Sequence, residues 1–320
     1  MNAKLDVQTL KTLPLVEVIE LAMLGDILSL QYGDREAGLA RVGAFAPELR
    51  HLFWLTVLAD GMAYPEGHGL SHFLEGKPGD FAPQVRIALE EADFKPEAQV
   101  LAGAMALFGE TYPIEEGTRE RFFASCDAQT HEKVFENKIG ELSKRFWSKE
   151  AFWQQIADYV RRTPALLAWV ENARANIDEA QRLRWLQYAL ARAAPKDPSQ
   201  LKAWPKAHRL LYLLGTFNRE MLNGGVHQFF YNSSGDWALE VVEALKEVKL
   251  QKHAEAVQQG IESFGPSYPT DNWTRRENHF DDHDWNEWDD RLSELTGCVD
   301  DGEIHKAMLH LANTEGILPA

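Results

Sequence analysis

Apolar residues recur along this chain at the spacing of helix faces. Val85, Ala88, Leu89 and Ala92 stand at i, i+3, i+4 and i+7, and so do Val241, Ala244, Leu245 and Val248. Leu101, Ala104, Met105 and Phe108 repeat the spacing, as do Val257, Gly260, Ile261 and Phe264. Side chains so placed form one stripe on a helix of 3.6 residues per turn, so each set predicts an amphipathic helix. The same patterning predicts helices over Leu15 to Leu30, Pro47 to Met62, Glu132 to Phe146, Lys149 to Val160, Pro164 to Ala175, Asp178 to Ala193 and Lys202 to Met221. Gly109 and Gly265 sit where a helix C-cap glycine belongs, each with a proline soon after. No run alternates with the two-residue period of a strand. The predicted fold class is all-α, with short loops.

The pattern is doubled. Shifted by 156 positions, Gly69, Phe73, Gly79 and Asp80 fall on Gly225, Phe229, Gly235 and Asp236. The motif Phe108-Gly109-x-x-Tyr112-Pro113 falls on Phe264-Gly265-x-x-Tyr268-Pro269, and Thr118-Arg119 falls on Thr274-Arg275. Upstream, Leu30-Gln31-Tyr32 falls on Leu186-Gln187-Tyr188. From Gly67 to Arg119 there are 16 identities in 53 positions, against about three or four for chance pairing at ordinary composition. An excess of that size predicts two homologous multi-helix domains from an internal duplication, over residues 1–160 and 161–320. Arg161-Arg162-Thr163-Pro164 is the expected junction, the proline opening the next helix. Pro195 to Pro205 is a second break, an insertion within the second copy.

The most informative stretch lies in that second copy: Asn223-Gly224-Gly225-Val226-His227-Gln228-Phe229-Phe230-Tyr231-Asn232-Ser233-Ser234-Gly235-Asp236-Trp237. The glycine pair reads as a chain break opening a short buried helix. Asn232 to Gly235 ends that helix, and Asp236 is placed to cap a second one. The first copy keeps only one glycine, Phe73 and the Gly79-Asp80 pair, so the retained part reads as a folding signature. Arg119 and Arg275, present in both copies, are each expected to bond a buried carboxylate, Asp80 or Asp236. Tyr112 and Tyr268 are expected to fix the turn after a helix.

Charge narrows the classes of function. The chain carries a net charge of −16, with ten Trp and sixteen Phe to build cores. Such an acidic surface repels phosphate backbones and anionic membranes, so direct nucleic-acid or membrane binding is not expected, and basic partners are. Carboxylates concentrate from Asp281 to Glu303, where Asp281, Asp282, Asp284, Glu287, Asp289, Asp290, Glu294, Asp300, Asp301 and Glu303 face one basic residue, Arg291. On a helix, Asp282, Glu287, Asp290 and Glu294 can share a face. Two cysteines, Cys126 and Cys298, are too few for a disulfide framework. With no basic-led apolar leader and no stretch of 18 apolar residues, a cytoplasmic protein is expected.

The ordered elements Asn223-Gly224-Gly225, Gln228-Phe229-Phe230 and Asn232-x-x-Gly235-Asp236 resemble the signature of the bacterial DNA-mimic protein C-terminal domain family. The resemblance covers about Leu201 to Leu311, and the first copy diverges from it. It implies a helical, non-enzymatic regulatory protein whose carboxylates imitate DNA phosphates. The implied partner is a basic DNA-binding protein such as a helix-turn-helix transcription factor. It also implies dimerisation, and the duplication then suggests that two copies in one chain form a pseudo-dimer. The alternative is an immunity or scaffold-type binding module without mimicry, and after it a metal-dependent enzyme with its site around His279 and His283.

Other constellations are weaker. His279-x-x-x-His283 with Asp281 and Asp284 has the spacing of a helical metal pair, but no facing ligand set is predicted, so neither a metal nor a cofactor is assigned. Ser233 and Ser234 with Asp236 and His227 lack the glycine elbow of a serine nucleophile. Cys126 near His131 has no counterpart in the second copy.

Overall fold

A computed structural model describes residues 5–62, 69–125, 138, 141–142, 149–195, 198–280 and 285–320. Among the described residues the chain is all-α, without strands. It divides into two compact units. One spans Pro14–Ile177; the other combines residues 5–13 with Asp178–Ala320.

The N-terminal unit holds α1 (Leu15–Tyr32), α2 (Arg35–Gly43), α3 (Pro47–Gly61), α4 (Gly69–Glu75), α5 (Ala82–Glu91), α6 (Lys95–Met105), α7 (Glu116–Ser125), α8 (Lys149–Arg162) and α9 (Pro164–Asn176). Helix α3 is its centre. Every residue from Leu52 to Ala59 is buried, because α3 packs against α1, α2, α5, α8 and α9. A helix covered on several sides must be apolar all round, and α3 is. Thr56 fits this setting by donating its hydroxyl to the Leu52 carbonyl at 2.8 Å. Proline opens α3, α5, α6 and α9 within the first two positions, where its missing N–H costs nothing.

The second unit holds α10 (Glu179–Ala193), α11 (Lys206–Tyr231), α12 (Ala238–Glu247), α13 (Gln251–Ser263), α14 (Asn272–Arg275), α15 (Trp285–Thr296) and α16 (Asp301–Thr314). Helix α11 is the hub, touching α10, α12, α14, α15 and α16. Its Leu211, Leu214, Phe217, Val226, Phe229 and Phe230 are fully buried. Asp178 caps α10 in a reciprocal capping box with Gln181. The chain ends meet here: Leu13 N–H donates to the Ala320 carbonyl at 3.2 Å and Ala320 N–H to the Lys11 carbonyl at 2.9 Å.

The helices expected from periodicity appear with shifted ends. Phe108 falls in a 3₁₀ turn, Ala106–Phe108, rather than in α6. The Lys202 to Met221 helix instead starts at Lys206 and continues to Tyr231, the preceding residues Pro198–Ala203 forming a 3₁₀ helix. Helices α2 and α16 were not expected; their signals are the N-caps Asp34 and Asp300, which accept from Ala37 N–H at 3.1 Å and Glu303 N–H at 3.0 Å. The expected Glu132 to Phe146 helix and the Cys126–His131 pair lie outside the described residues or largely so. The two compact units meet in sequence at Ile177 and Asp178, so α8 and α9 belong to the N-terminal one.

His208, on α11, is 7% exposed with Nδ1 lacking a hydrogen-bond partner among the described residues. Burial holds its imidazole below the ordinary range, which lies near 6.5. The unfolded chain then takes up the proton first as pH falls. His208 therefore contributes stability that is intact above about pH 6.5 and lost on acidification towards the depressed folded value. Denaturant unfolding at pH 7.5 and 5.5 should show a shallower acid loss in His208→Gln than in the parent, by at most about 1.4 kcal/mol per pH unit.

Candidate functional site

The signature stretch bends α11 and then closes it off. Gly224 (φ −171°, ψ 16°) and Gly225 (φ 73°, ψ −159°) interrupt the helical dihedrals inside α11. Only Gly225 is in the left-handed half of backbone space, in a region that side chains avoid. A Cβ there would also meet the Thr296 hydroxyl at 2.5 Å. That contact is specific: Val226 N–H, freed by the kink, donates to Thr296 Oγ1 at 2.9 Å. The end of α15 thus satisfies a donor that the kink exposes. Past the kink, Phe229 and Phe230 are fully buried, Phe229 standing edge-on to Phe217 with centroids 5.0 Å apart.

The helix ends at Asn232, and Ser233–Trp237 form a 3₁₀ turn leading into α12. Asn232 Nδ2 and Ser234 Oγ both donate to the Glu220 carboxylate, at 3.0 and 2.8 Å. Asn232 and Ser234 are thereby tied to the preceding part of α11 rather than offered to a substrate. His227 stacks on Tyr231 and meets Phe280 edge-on.

Asp236 does not cap α12. The helix is preceded by Trp237 and has no side-chain cap bond. The carboxylate is taken by Arg275, whose Nη2 donates to Asp236 Oδ1 at 2.6 Å. The fully buried Arg275 also donates from Nε to the Phe230 carbonyl, from Nη1 to the Pro269 carbonyl and from Nη2 to the Asn232 carbonyl, each at 2.9 Å. Tyr268 donates its hydroxyl to the Gly235 carbonyl at 2.7 Å. A Cβ on Gly235 would lie 2.9 Å from the guanidinium and 2.9 Å from the Phe229 carbonyl, so glycine is required by close approach.

The same set recurs in the N-terminal unit at the 156-residue offset. Arg119 donates to the carbonyls of Leu74, Pro113 and Gly76 at 2.6, 3.1 and 2.7 Å, and to Asp80 Oδ1 at 2.8 Å. Tyr112 donates to the Gly79 carbonyl at 2.9 Å. Asp93 and Lys249 share the left-handed backbone region, with φ of 66° and 64°, as do Gly109 and Gly265. Burial pushes both tyrosine hydroxyls well above their ordinary range, more than the neighbouring arginines pull them down, so both remain donors. The carboxylates differ in setting. Asp80 is 4% exposed and also faces Arg35 at 3.5 Å and Lys77 at 3.9 Å, whereas Asp236 is 25% exposed and forms its one ion pair among the described residues with Arg275. Burial raises the Asp236 carboxyl, against the opposing pull of Arg275.

The acidic run is dispersed over several elements. Asp281, Asp282 and Asp284 lie outside the described residues; Glu287 and Asp289 fall on α15. Asp290 and Glu294 are exposed on α15, and Asp301 and Glu303 are exposed in the first turn of α16. Asp300 caps α16, and its backbone N–H meets Nε2 of buried His253 at 3.1 Å. Carboxylates at a helix start are favoured by its dipole and free N–H groups, so this part of the run has a local structural use. Further exposed carboxylates stand on α13, Glu255 and Glu262, and α13 packs against α15. In the N-terminal unit Glu97 is buried, and burial raises its carboxyl. Of the metal-spaced residues, His279 sets its ring edge-on to Phe264, and its three companions are outside the described residues. No group of three or more metal-binding side chains occurs among the described residues. None of the described helices is long and apolar enough to cross a membrane.

These features define an all-α unit closed by a buried arginine and coated with carboxylates. Residues 202–311 match the family model for DMP19-like protein, in line with the DNA-mimic resemblance of the signature. The N-terminal unit lies outside that match. Comparison with curated proteins and with solved structures gave no match. Thr296 and Glu220 had no signal in the sequence, because a kink partner and a turn acceptor are set by packing rather than by spacing.

Two substitutions test the signature. Arg275→Ala strands Asp236 and three carbonyls and should cost about 3–5 kcal/mol in denaturant unfolding. Gly225→Ala combines a forbidden dihedral with the Thr296 clash and should cost about 2–4 kcal/mol, partly recovered by Thr296→Ala as a double-mutant cycle shows.

Proposed function

We propose that this chain is a non-enzymatic regulatory protein that binds a basic DNA-binding protein by presenting carboxylates in place of DNA phosphates. The observation that carries this reading is the family match over residues 202–311. Support comes from Glu255, Glu262, Glu277, Asp290, Glu294 and Asp301, which are exposed and form no ion pair among the described residues. Left without cations of their own, such carboxylates are available to a partner's Lys and Arg. They stand on helices, where side chains one turn apart are separated by about 6 Å along the axis. That spacing is comparable with a phosphate ladder, in which each strand carries a charge about every 3.4 Å of axis. The binding surface proposed from sequence also includes Asp281, Asp282, Asp284, Glu287, Asp289, Asp300 and Glu303.

We further propose that the two units are copies of one domain, on the strength of the arginine, tyrosine and glycine geometry repeated at one offset. Two copies in one chain supply a fixed pair of domains without association between chains. The second reading, a protein-binding module without mimicry, draws on Asp300 and its neighbours serving the start of α16, and on Glu243 and Glu247 pairing with Lys246 and Lys206.

The test is capture of DNA-binding proteins on the immobilised chain across a salt series. Retention should fall steeply as ionic strength rises through the range where the Debye length drops from about 10 to 3 Å. Duplex DNA should compete. Changing Glu255, Glu262, Asp290 and Glu294 to their amides should weaken capture at least tenfold without lowering thermal stability. Capture indifferent to salt and DNA would favour the second reading.

A further inference from the structure

A cavity of about 520 Å³ opens in the C-terminal unit among α10, α11 and α16. Its lining is unlike the rest of this acidic chain. Arg184 and Tyr188 come from α10, Tyr212, Asn218, Arg219 and Asn223 from α11, and His305 from α16, and no carboxylate is among its lining residues. Neither Arg184 nor Arg219 forms an ion pair among the described residues, although carboxylates outnumber Lys and Arg by 49 to 33. Asn218 is nine-tenths buried with its carboxamide oxygen lacking a hydrogen-bond partner among the described residues. Burying an amide oxygen is costly unless something bonds it.

The volume falls within the range of small-molecule sites. The polar lining is also not needed by the repeated framework. At the 156-residue offset, Arg184, Asn218 and Arg219 correspond to Leu28, Met62 and Ala63, while Tyr188 is matched by Tyr32. The signature contributes as well. Asn223 lines the cavity immediately before the Gly224–Gly225 kink, and its side chain makes no hydrogen bond among the described residues.

We propose that this cavity binds a small organic oxyanion that also carries a hydroxyl, such as a hydroxy acid or a sugar phosphate. The two guanidinium groups receive the oxyanion, a carboxylate or phosphate, by charge-assisted hydrogen bonds. The ligand hydroxyl donates to the Asn218 oxygen. The faces of Tyr188 and Tyr212 cover the carbon skeleton. A bound metabolite would sit on the same helix whose kink is held by Thr296, and so on the hub of the unit.

Calorimetric titration of the full chain with citrate, glucose 6-phosphate and inorganic phosphate, at ionic strength fixed with chloride, tests the assignment. Citrate or glucose 6-phosphate should bind saturably, and Arg184→Gln with Arg219→Gln should weaken it at least tenfold. Asn218→Leu should weaken the hydroxylated probes more than inorganic phosphate. Arg209→Gln, in a separate groove, should change nothing. Both cavity arginines are exposed and form no ion pair among the described residues, so the fold should survive; if the double variant unfolds, Arg184→Gln alone decides in the same way. Absence of saturable binding by citrate and glucose 6-phosphate at millimolar concentration, or binding that survives loss of the arginines, overturns the proposal. Equal effects of Asn218→Leu on all probes overturn the hydroxyl contact.

Discussion

A guanidinium buried from water is a liability unless every face of it is engaged, and the C-terminal unit is arranged to engage Arg275. Its donors reach the Phe230 carbonyl near the end of α11, the Asn232 carbonyl just past it, the Pro269 carbonyl in the loop before α14, and the Asp236 carboxylate. The end of a helix leaves carbonyls without intrahelical partners, and a buried end needs an outside donor. Arg275 supplies it and joins the end of α11, the turn that follows and the loop before α14 at one point. Other requirements follow from that point: glycine at 235, a tyrosine whose hydroxyl caps the Gly235 carbonyl, and aromatic residues packed on both sides. Around Arg119, Tyr112 likewise caps the Gly79 carbonyl, and there the carbonyls of Phe73 and Leu74 are what exclude a Cβ from Gly79.

How much of this was legible depends on whether a feature is local. Helical periodicity is local, so α1, α3, α5, α6, α8 to α10, α12 and α13 were readable from apolar spacing, with errors at their ends. The arginine–carboxylate pairs are readable for a different reason: the offset preserves both partners in each half, so the sequence itself matches Arg119 with Asp80 and Arg275 with Asp236. The role of Asp236 was half right. An aspartate before an apolar helix looks like a cap, yet the nearby guanidinium competes for the carboxylate and wins through charge. Thr296, Glu220 and the Arg184–Arg219 cavity were invisible, since each joins segments far apart in sequence that carry no motif.

Charge is distributed with a purpose that composition conceals. A net charge of −16 describes the chain as a whole. Within the C-terminal unit Glu255 and Glu262 of α13 and Asp290 and Glu294 of α15 are exposed to water, the carboxylates at the start of α16 serve its backbone, and the cavity beside α11 has arginines and no acids among its lining residues. One helical hub thus supports two opposite electrostatic environments. The acidic one is the surface proposed for a basic partner, and the cationic one is the site proposed for a small anion.

The pairing of Lys11 and Leu13 with Ala320 makes the second unit discontinuous in sequence. In topological terms, Pro14–Ile177 is an insertion within the chain of its neighbour. During synthesis the inserted unit emerges whole and can fold before residues 178–320 exist to pair with residues 5–13. The second unit is thus completed by a contact that spans the whole of the inserted one in sequence, and it forms only when residue 320 has been made.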